Sequence, residues 1–530
     1  MLTLLSDFIH HITKNSPDSV ALCLKDQQMT YRQLDTAVKK FAQALIKQGL
    51  QANERVAIYL PKQFETVIAI FGTALAGGVF VPVNPLLKPK QVSYILRHCQ
   101  AKFCITAHQR AKTLIEELQT CSFLKTLICV DKSPEYDIPY NFNLTTWNSF
   151  NNTEKAFSAL LHPRIDQDTV SILYTSGSTG QPKGVSLSHR NMVEGAKSVA
   201  TYLENQANDR LLAVLPFSFD YGLSQLTTAF LVGARVVLMD YLLPQDVIKA
   251  VANYQITGLA AVPPLWNQLA ERQWPDDAIN CLRYITNSGG AVPPSLSQKL
   301  TSCLPKTQIF LMYGLTEAFR STYLPPEQLN IRPESMGIPI PNAALKVMRA
   351  DGSECEADEP GELVHRGSLV AQGYWNDKKK TLERFKPTPD QPHELPLSEI
   401  AVWSGDIVKK DSEGYFYFLG RNDEMIKTSG YRVSPGEIEE IIYASEFVHD
   451  VAAIGLPHPT LGQAILLIYH AKDPQHESST LLAFCKKNLP LYMVPHKLIH
   501  LSALPKNPNG KIDRSTLKKQ HIDLFEENNV

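Results

Sequence analysis

The sequence predicts an α/β fold. A large N-terminal domain of parallel sheets covered by helices, plus a short-stranded barrel-like part, precedes a small α+β C-terminal domain. Three observations carry this. Helical and strand patterns alternate along the first third, and the alternation resumes at Val170. After about Gly361 the texture changes to short strands and turns, such as GELVHRG and YFYFLGR. From Asp423 a compact unit of helix SPGEIEEIIYAS, strands DVAAIGLP and QAILLIYHA, and helix TLLAFCKKNLP runs onward. The boundary is therefore expected near Arg421–Asp423, giving domains 1–421 and 422–530. A chain of 530 residues is long enough for two or three cores.

Tyr31–Gly49 carries apolar residues at helical spacing and a glycine stop. RVAIYL at 55–60 reads as a buried strand. Strand VFVPV, helix LKPKQVSYILRHC, strand KFCIT and strand FLKTLICV follow, and Thr145–Arg164 reads as a looser connection. This order is that of parallel strands joined by helical crossovers. Thr66–Val83 is apolar for long enough to resemble a membrane span. Gly77-Gly78 interrupts it and Pro82 ends it, so a core helix, a glycine turn and a strand are expected instead. From Val170 come strand VSILY, a glycine-rich loop, strand RLLAVLP, a helix and strand ARVVLM.

Net charge is −1, which offers nothing to a nucleic acid or an anionic membrane. The cysteines number nine, and none forms a CxxC pair. Core thiols in a reducing, cytoplasmic compartment are expected rather than disulfides or a zinc site. The N-terminus MLTLLSDFIHHITKN has no basic region followed by a long apolar one, so no signal peptide is expected.

The strongest motif is SILYTSGSTGQPKGVSLSHRN at 171–191. A strand leads into Thr175, Ser176, Gly177, Ser178, Thr179 and Gly180, and Lys183 follows at a short interval. Small residues let backbone N–H groups approach a phosphate, hydroxyls add donors and the lysine adds charge. A surface loop is the usual fate of such clusters, but the preceding strand and the fixed lysine argue against it. The loop is not the Walker A type, because Gly184 follows Lys183 where Ser or Thr is required.

This segment resembles the signature of the adenylate-forming, AMP-binding superfamily, which includes acyl-CoA synthetases, amino-acid adenylation domains and luciferase-like enzymes. The resemblance runs from TYRQLD at Thr30 to NGKIDR at Arg514 and includes four further motifs in the same order. It implies ATP and Mg2+ as cofactors and an acyl-AMP intermediate. In YGLTEA it implies Tyr313 stacked on adenine beside Gly314, Thr316 on the α-phosphate and Glu317 on magnesium. The turn Ser288-Gly289-Gly290-Ala291 would lie against adenine and the acyl pocket. Asp406, in WSGD, and Arg421 would bind the ribose hydroxyls. Asp423 matches the hinge about which a mobile C-terminal domain rotates, and Gly430 the glycine beside the pantetheine tunnel. Lys511, in PNGK, is assigned to the adenylation transition state. One departure is Ser429, where many CoA ligases carry a basic residue.

The acid is approached through LPFSFDYGL. Many fatty and aryl acyl-CoA ligases place histidine at Phe219, whereas amino-acid adenylation domains have an FD pair whose Asp grips the ammonium. Phe219-Asp220 matches that pair. Positional matching puts Ser224, Ser288, Met312 and Arg320 around the same pocket, and an unpaired buried arginine there is costly. A small amino or imino acid, such as proline, is expected, with an acyl-CoA ligase for a fatty or other organic acid as the alternative. A luciferase-like oxygenase and a binding protein without catalysis are more remote. Because 19 residues follow Lys511, the thiol is expected in trans, from CoA or from the phosphopantetheine of a separate carrier protein. Neither a nucleic-acid partner nor a membrane span is expected.

Overall fold

The computed structural model describes residues 2–132, 141–152, 162–175, 181–389, 391–392, 394–421, 425–445, 447–472, 478–505 and 512–525. Two large sheets and one small one organise them. The first sheet has eight strands in the order 373–374, 183–188, 169–175, 79–82, 55–59, 101–106, 126–129 and 143–146. Its strands from 55 to 146 pair in parallel. The segment 169–175 joins this array in parallel and turns back antiparallel through 183–188, so that Thr175 faces Lys183.

The second sheet has a parallel centre of Arg210–Ala213, Arg235–Leu238, Gly258–Ala261, Tyr284–Asn287 and Gln308–Tyr313. The short strands from Thr322 to Arg421 continue it edge to edge by antiparallel pairing. The third sheet has five strands between Ile426 and His500, with helices Pro435–Tyr443, Ser478–Asn488 and Arg514–Gln520 against it. It carries apolar cores of its own, one around Ile438, Val451 and Leu467 and one around Ile454, Leu466 and Leu517.

Local chemistry explains the elements that position the site. Helix Tyr31–Lys47 opens on a reciprocal cap: Thr30 Oγ1 accepts from the Gln33 amide and Gln33 Oε1 from the Thr30 amide. Its buried face, with Leu34, Val38, Phe41 and Leu45, follows the 3.6-residue period. The apolar run at 66–83 resolves as helix Phe64–Leu75, a left-handed Gly77 (φ +79°) and the buried strand Val79–Pro82. Among the described residues no helix is long and apolar enough to cross a membrane. The strand ends at Pro82, Thr175 and Tyr313, and Ser288 just past the strand ending at Asn287, converge on one cleft. In open α/β sheets, ligands bind at such carboxyl ends.

Candidate active site

A cavity of about 150 Å3 lies where the two large sheets meet the C-terminal unit. Thr175, Tyr313, Gly314, Thr316, Asp406 and Gly289 line it from the N-terminal side, and Gly430, Arg432 and Glu437 from the other. Ser176, Gly177, Ser178, Thr179, Gly180, Asp423 and Lys511 lie outside the described residues, as does the side chain of Arg421. The backbone of Arg421 pairs with Asp406. The Tyr313 hydroxyl donates to Asp406 Oδ2, which ties the end of strand Gln308–Tyr313 to strand Ile400–Lys410.

Glu317 sits in the short 3-10 turn Thr316–Ala318 and is buried. Its Oε1 accepts from the Tyr374 hydroxyl (2.7 Å). The Lys183 ammonium lies over the Tyr374 ring, 4.9 Å from its centroid. Burial alone would raise the Glu317 carboxyl, but Arg432, the Tyr374 hydroxyl and Lys183 outweigh it and hold it below the ordinary value. Lys183 is itself lowered, by burial first, with Glu317 opposing. An ionised, lone carboxylate suits Mg2+, which takes one or two carboxylates with phosphate oxygens and water. Among the described residues no group of three His, Cys, Asp or Glu is placed to hold a metal. A magnesium on Glu317 would therefore depend on nucleotide phosphates, and would there polarise them and neutralise developing charge.

Of the acyl-pocket residues expected from sequence, Phe219, Asp220, Ser288 and Arg320 line the cavity. Ser224 and Met312 do not. Ser224 faces Thr228 on its own helix, and Met312 accepts from the Tyr202 hydroxyl at Sδ. Asp220 is buried, and its Oδ1 accepts the Tyr221 amide (2.9 Å). Burial raises its carboxyl above the ordinary value, with Arg320 opposing. Asp220 is the first residue of helix Asp220–Val232, whose cap position is Phe219, so it is not the N-cap. Gly289 turns left-handed (φ +81°), Asn287 Nδ2 donates to the Gly290 carbonyl, and Ala291 is exposed.

The C-terminal unit reaches the site through a tight hairpin. Thr428 pairs with Tyr431, and Ser429 and Gly430 between them both have positive φ (52° and 80°). Two positive φ values are what a two-residue type I′ turn requires. The tip meets Gly289 and Val262. Gln91 Nε2 donates to Glu437 Oε1 (3.1 Å), and Gln181 Nε2 to the Glu440 carboxylate (2.9 and 3.0 Å), so both contacts cross between the units. Tyr431 stacks on Tyr492, with ring centroids 3.9 Å apart. Arg432, Tyr374 and Glu437 were not singled out from the sequence. Glu437 lies in the helical segment SPGEIEEIIYAS and Arg432 just before it, close to Gly430, whereas Tyr374 has no sequence signal.

These features form one cleft shared by the N-terminal sheets and the C-terminal unit. The family pattern described as AMP-binding enzyme matches residues 9–375, and that of the AMP-binding enzyme C-terminal domain matches residues 437–511. The chain belongs to this family of adenylate-forming enzymes. It is 30% identical to tyrocidine synthase 3 of Brevibacillus parabrevis over 96% of this chain and 7% of that one. The chain thus spans less than a tenth of such a relative. It is 27% identical to the long-chain-fatty-acid–CoA ligase of Salmonella typhimurium over 97% of this chain and 94% of the ligase. Among solved structures, o-succinylbenzoate CoA synthetase of Bacillus subtilis aligns at 25% identity over 96% of this chain and 97% of that one. The TM-score is 0.82 to its complex with a product analogue and 0.68 to its complex with the acyl-adenylate.

Proposed function

We propose that the protein is an ATP-dependent acid–thiol ligase. It activates a short amino or imino acid as the acyl-AMP and transfers it to the phosphopantetheine thiol of a separate carrier protein. The observation that carries the choice of acid is the buried carboxyl of Asp220 on a pocket wall whose space is filled by Arg320 lying over Tyr221. That filling supports a short acid, and the carboxyl supports an ammonium. An acyl-CoA ligase for a fatty or other organic acid is the second reading, favoured by the similarity along 94% of the Salmonella ligase. Pyrophosphate exchange across a panel of amino and fatty acids, then the mass of the thioester formed, separates the two.

In this reading residues 1–421 form the adenylation domain and 422–530 the mobile one. Tyr313, Gly314 and the turn Gly289-Gly290-Ala291 hold adenine, and Asp406 with Arg421 holds the ribose. Thr175–Gly180, Lys183 and Thr316 hold the phosphates, with Glu317 for magnesium. The acid's carboxylate attacks the α-phosphorus and pyrophosphate leaves. The thiol then attacks the acyl carbonyl and AMP leaves. Rotation about Asp423 exchanges Lys511 for the Gly430 hairpin between the steps. The nine cysteines are all free, which supports a reducing, cytoplasmic setting.

Asp220→Asn tests the ammonium reading. The structure gives Asp220 and Arg320 no ion pair, so the substitution strands no salt-bridge partner and melting temperature should hardly move. Amino-acid activation should weaken by about 2–5 kcal/mol, because the ammonium loses its counter-charge. An unchanged exchange rate with the best amino acid would remove the assignment.

Closure of the C-terminal unit should depend on pH through Glu437. Burial lifts its carboxyl to about 7, the Gln91 hydrogen bond opposing and Glu440 adding. Tyr94 on the facing helix and Tyr492 complete its titratable surroundings. Released from the contact, the carboxyl returns to near 4.5. Closure therefore takes up a proton. Below about 4.5 there is no penalty; between 4.5 and 7 each pH unit disfavours closure about tenfold; above 7 the penalty is full. Energy transfer between labels on the two units should fall across this window, and Glu437→Gln should flatten the fall. An equal slope in the variant would dismiss Glu437 as the cause.

A further inference from the structure

Arg320 is placed in the acyl pocket by an uncommon backbone turn. Phe319 has φ 57° and ψ −61°, and the Arg320 amide donates to the Ala318 carbonyl (2.6 Å), which is a γ-turn of positive φ. Such turns are rare and strained in a non-glycine residue. The strain is held by packing: the fully buried Phe319 ring lies where a Cβ on Gly195 would be 2.5 Å away. The turn sends the Arg320 side chain inward, where it is 2% exposed. Its guanidinium carbon lies 4.8 Å from the Tyr221 ring centroid and 5.9 Å from that of Phe319. Nη1 donates to Ser288 Oγ (2.9 Å).

The guanidinium is thus fixed on three sides, yet its polar needs are not met. Nε is buried without a hydrogen-bond partner among the described residues. No described carboxylate pairs with it, and Asp220 acts only through its field. The Tyr202 hydroxyl donates to Met312 Sδ and lies within reach of the guanidinium as an acceptor, but it is neutral and leaves Nε unpartnered. A buried donor left unsatisfied is costly, and a buried charge without a paired anion more so. Pinning a cation by aromatic stacking and one serine, with donors to spare on a cavity wall, is how a protein prepares a site for a planar anion.

We infer that Arg320 with Ser288 binds a second carboxylate on the substrate, remote from the carboxylate that is activated. The substrate is then a short acid carrying an anionic far end. Taken with the ammonium reading of Asp220, on which this refinement rests, it is an acidic amino acid of the size of aspartate or glutamate. The two buried charges of the pocket, one of each sign, are complemented by the two extra charges of such a substrate.

Pyrophosphate exchange on the full chain with matched acids tests this. Aspartate and glutamate should exceed alanine, 2-aminobutyrate and proline by roughly 10²-fold or more, as expected where a site built for a polar group meets analogues lacking it. Arg320→Met should erase that preference, bringing exchange with aspartate and glutamate down to the level the variant shows with alanine. Arg320→Lys should restore part of it. If alanine or proline is activated by wild type as well as the acidic pair, the inference falls, even where the variants fail to fold. Succinate and glutarate separate it from the reading beneath it. If they match their amino counterparts, the ammonium role of Asp220 fails while the anion role of Arg320 stands.

Discussion

Gly430→Ala should reduce thioester formation from supplied acyl-AMP by roughly 10²-fold, the cost of about an ångström's misplacement at a reacting centre, and leave pyrophosphate exchange near wild type. A Cβ on Gly430 would lie 2.8–3.0 Å from Val262 Cγ1, Cβ and Cγ2 at once. Rotating the valine cannot relieve a contact made to Cβ as well as to both methyls. The left-handed φ of 80° adds roughly 1–2 kcal/mol for any L side chain. Ser429 tolerates its own positive φ at the first position of the same turn, and its amide donates to the Leu461 carbonyl (3.0 Å). The strain at 430 is therefore not spread along the hairpin. The tip must withdraw from Gly289, and the C-terminal unit with it, because the hairpin is bonded into its sheet through Thr428 and Gly462. Separate rate measurements of each half-reaction decide the matter. Equal loss in both would mean that Gly430 serves the fold, not the second step.

The parts of this molecule that the sequence revealed are those where local chemistry and tertiary demand agree. The helical spacing and glycine stop of Tyr31–Gly49 become helix Tyr31–Lys47, and the run from Thr66 breaks at Gly77 because the chain there must turn left-handed. The short strands after Gly361 were readable as strands. Their continuity with the second parallel sheet was not, because edge pairing through Thr322–Leu324 and Ser335–Pro339 leaves no local pattern. The Phe219-Asp220 pair and Arg320 were visible as residue types out of keeping with a greasy pocket. That Arg320 enters through a γ-turn at Phe319 was not visible, since nothing in an aromatic residue announces positive φ. The pairing of Arg432 with the field of Glu317, and the hydrogen bond of Gln91 to Glu437, join segments more than a hundred residues apart and exist only in this arrangement of the two units.

Lys511→Ala should suppress acyl-AMP formation by roughly 10²–10³-fold, as when one preorganised donor to developing charge is removed, and spare thiol transfer from supplied acyl-AMP. Lys511 lies outside the described residues, but the ends of its segment do not. The Asp513 amide donates to the Pro505 carbonyl (2.8 Å), closing the segment at its base. Arg514 Nη2 donates to Glu439 Oε2 (2.6 Å), on the helix that also carries Glu437 and Glu440. The flanks of the segment therefore belong to the same unit as the Gly430 hairpin. In the present arrangement that unit sets Arg432 beside Glu317, where a positive charge already offsets the carboxylate. In the proposed adenylation step the same carboxylate would hold magnesium, and a guanidinium there would compete with it. On the proposed function, Lys511 and Arg432 would act in turn, each as the cation that its own half-reaction needs. Arg432→Ala should accordingly show the inverse split, with thiol transfer weakened and exchange kept. If Lys511→Ala and Arg432→Ala impair the same half-reaction, alternation of the two cations is wrong.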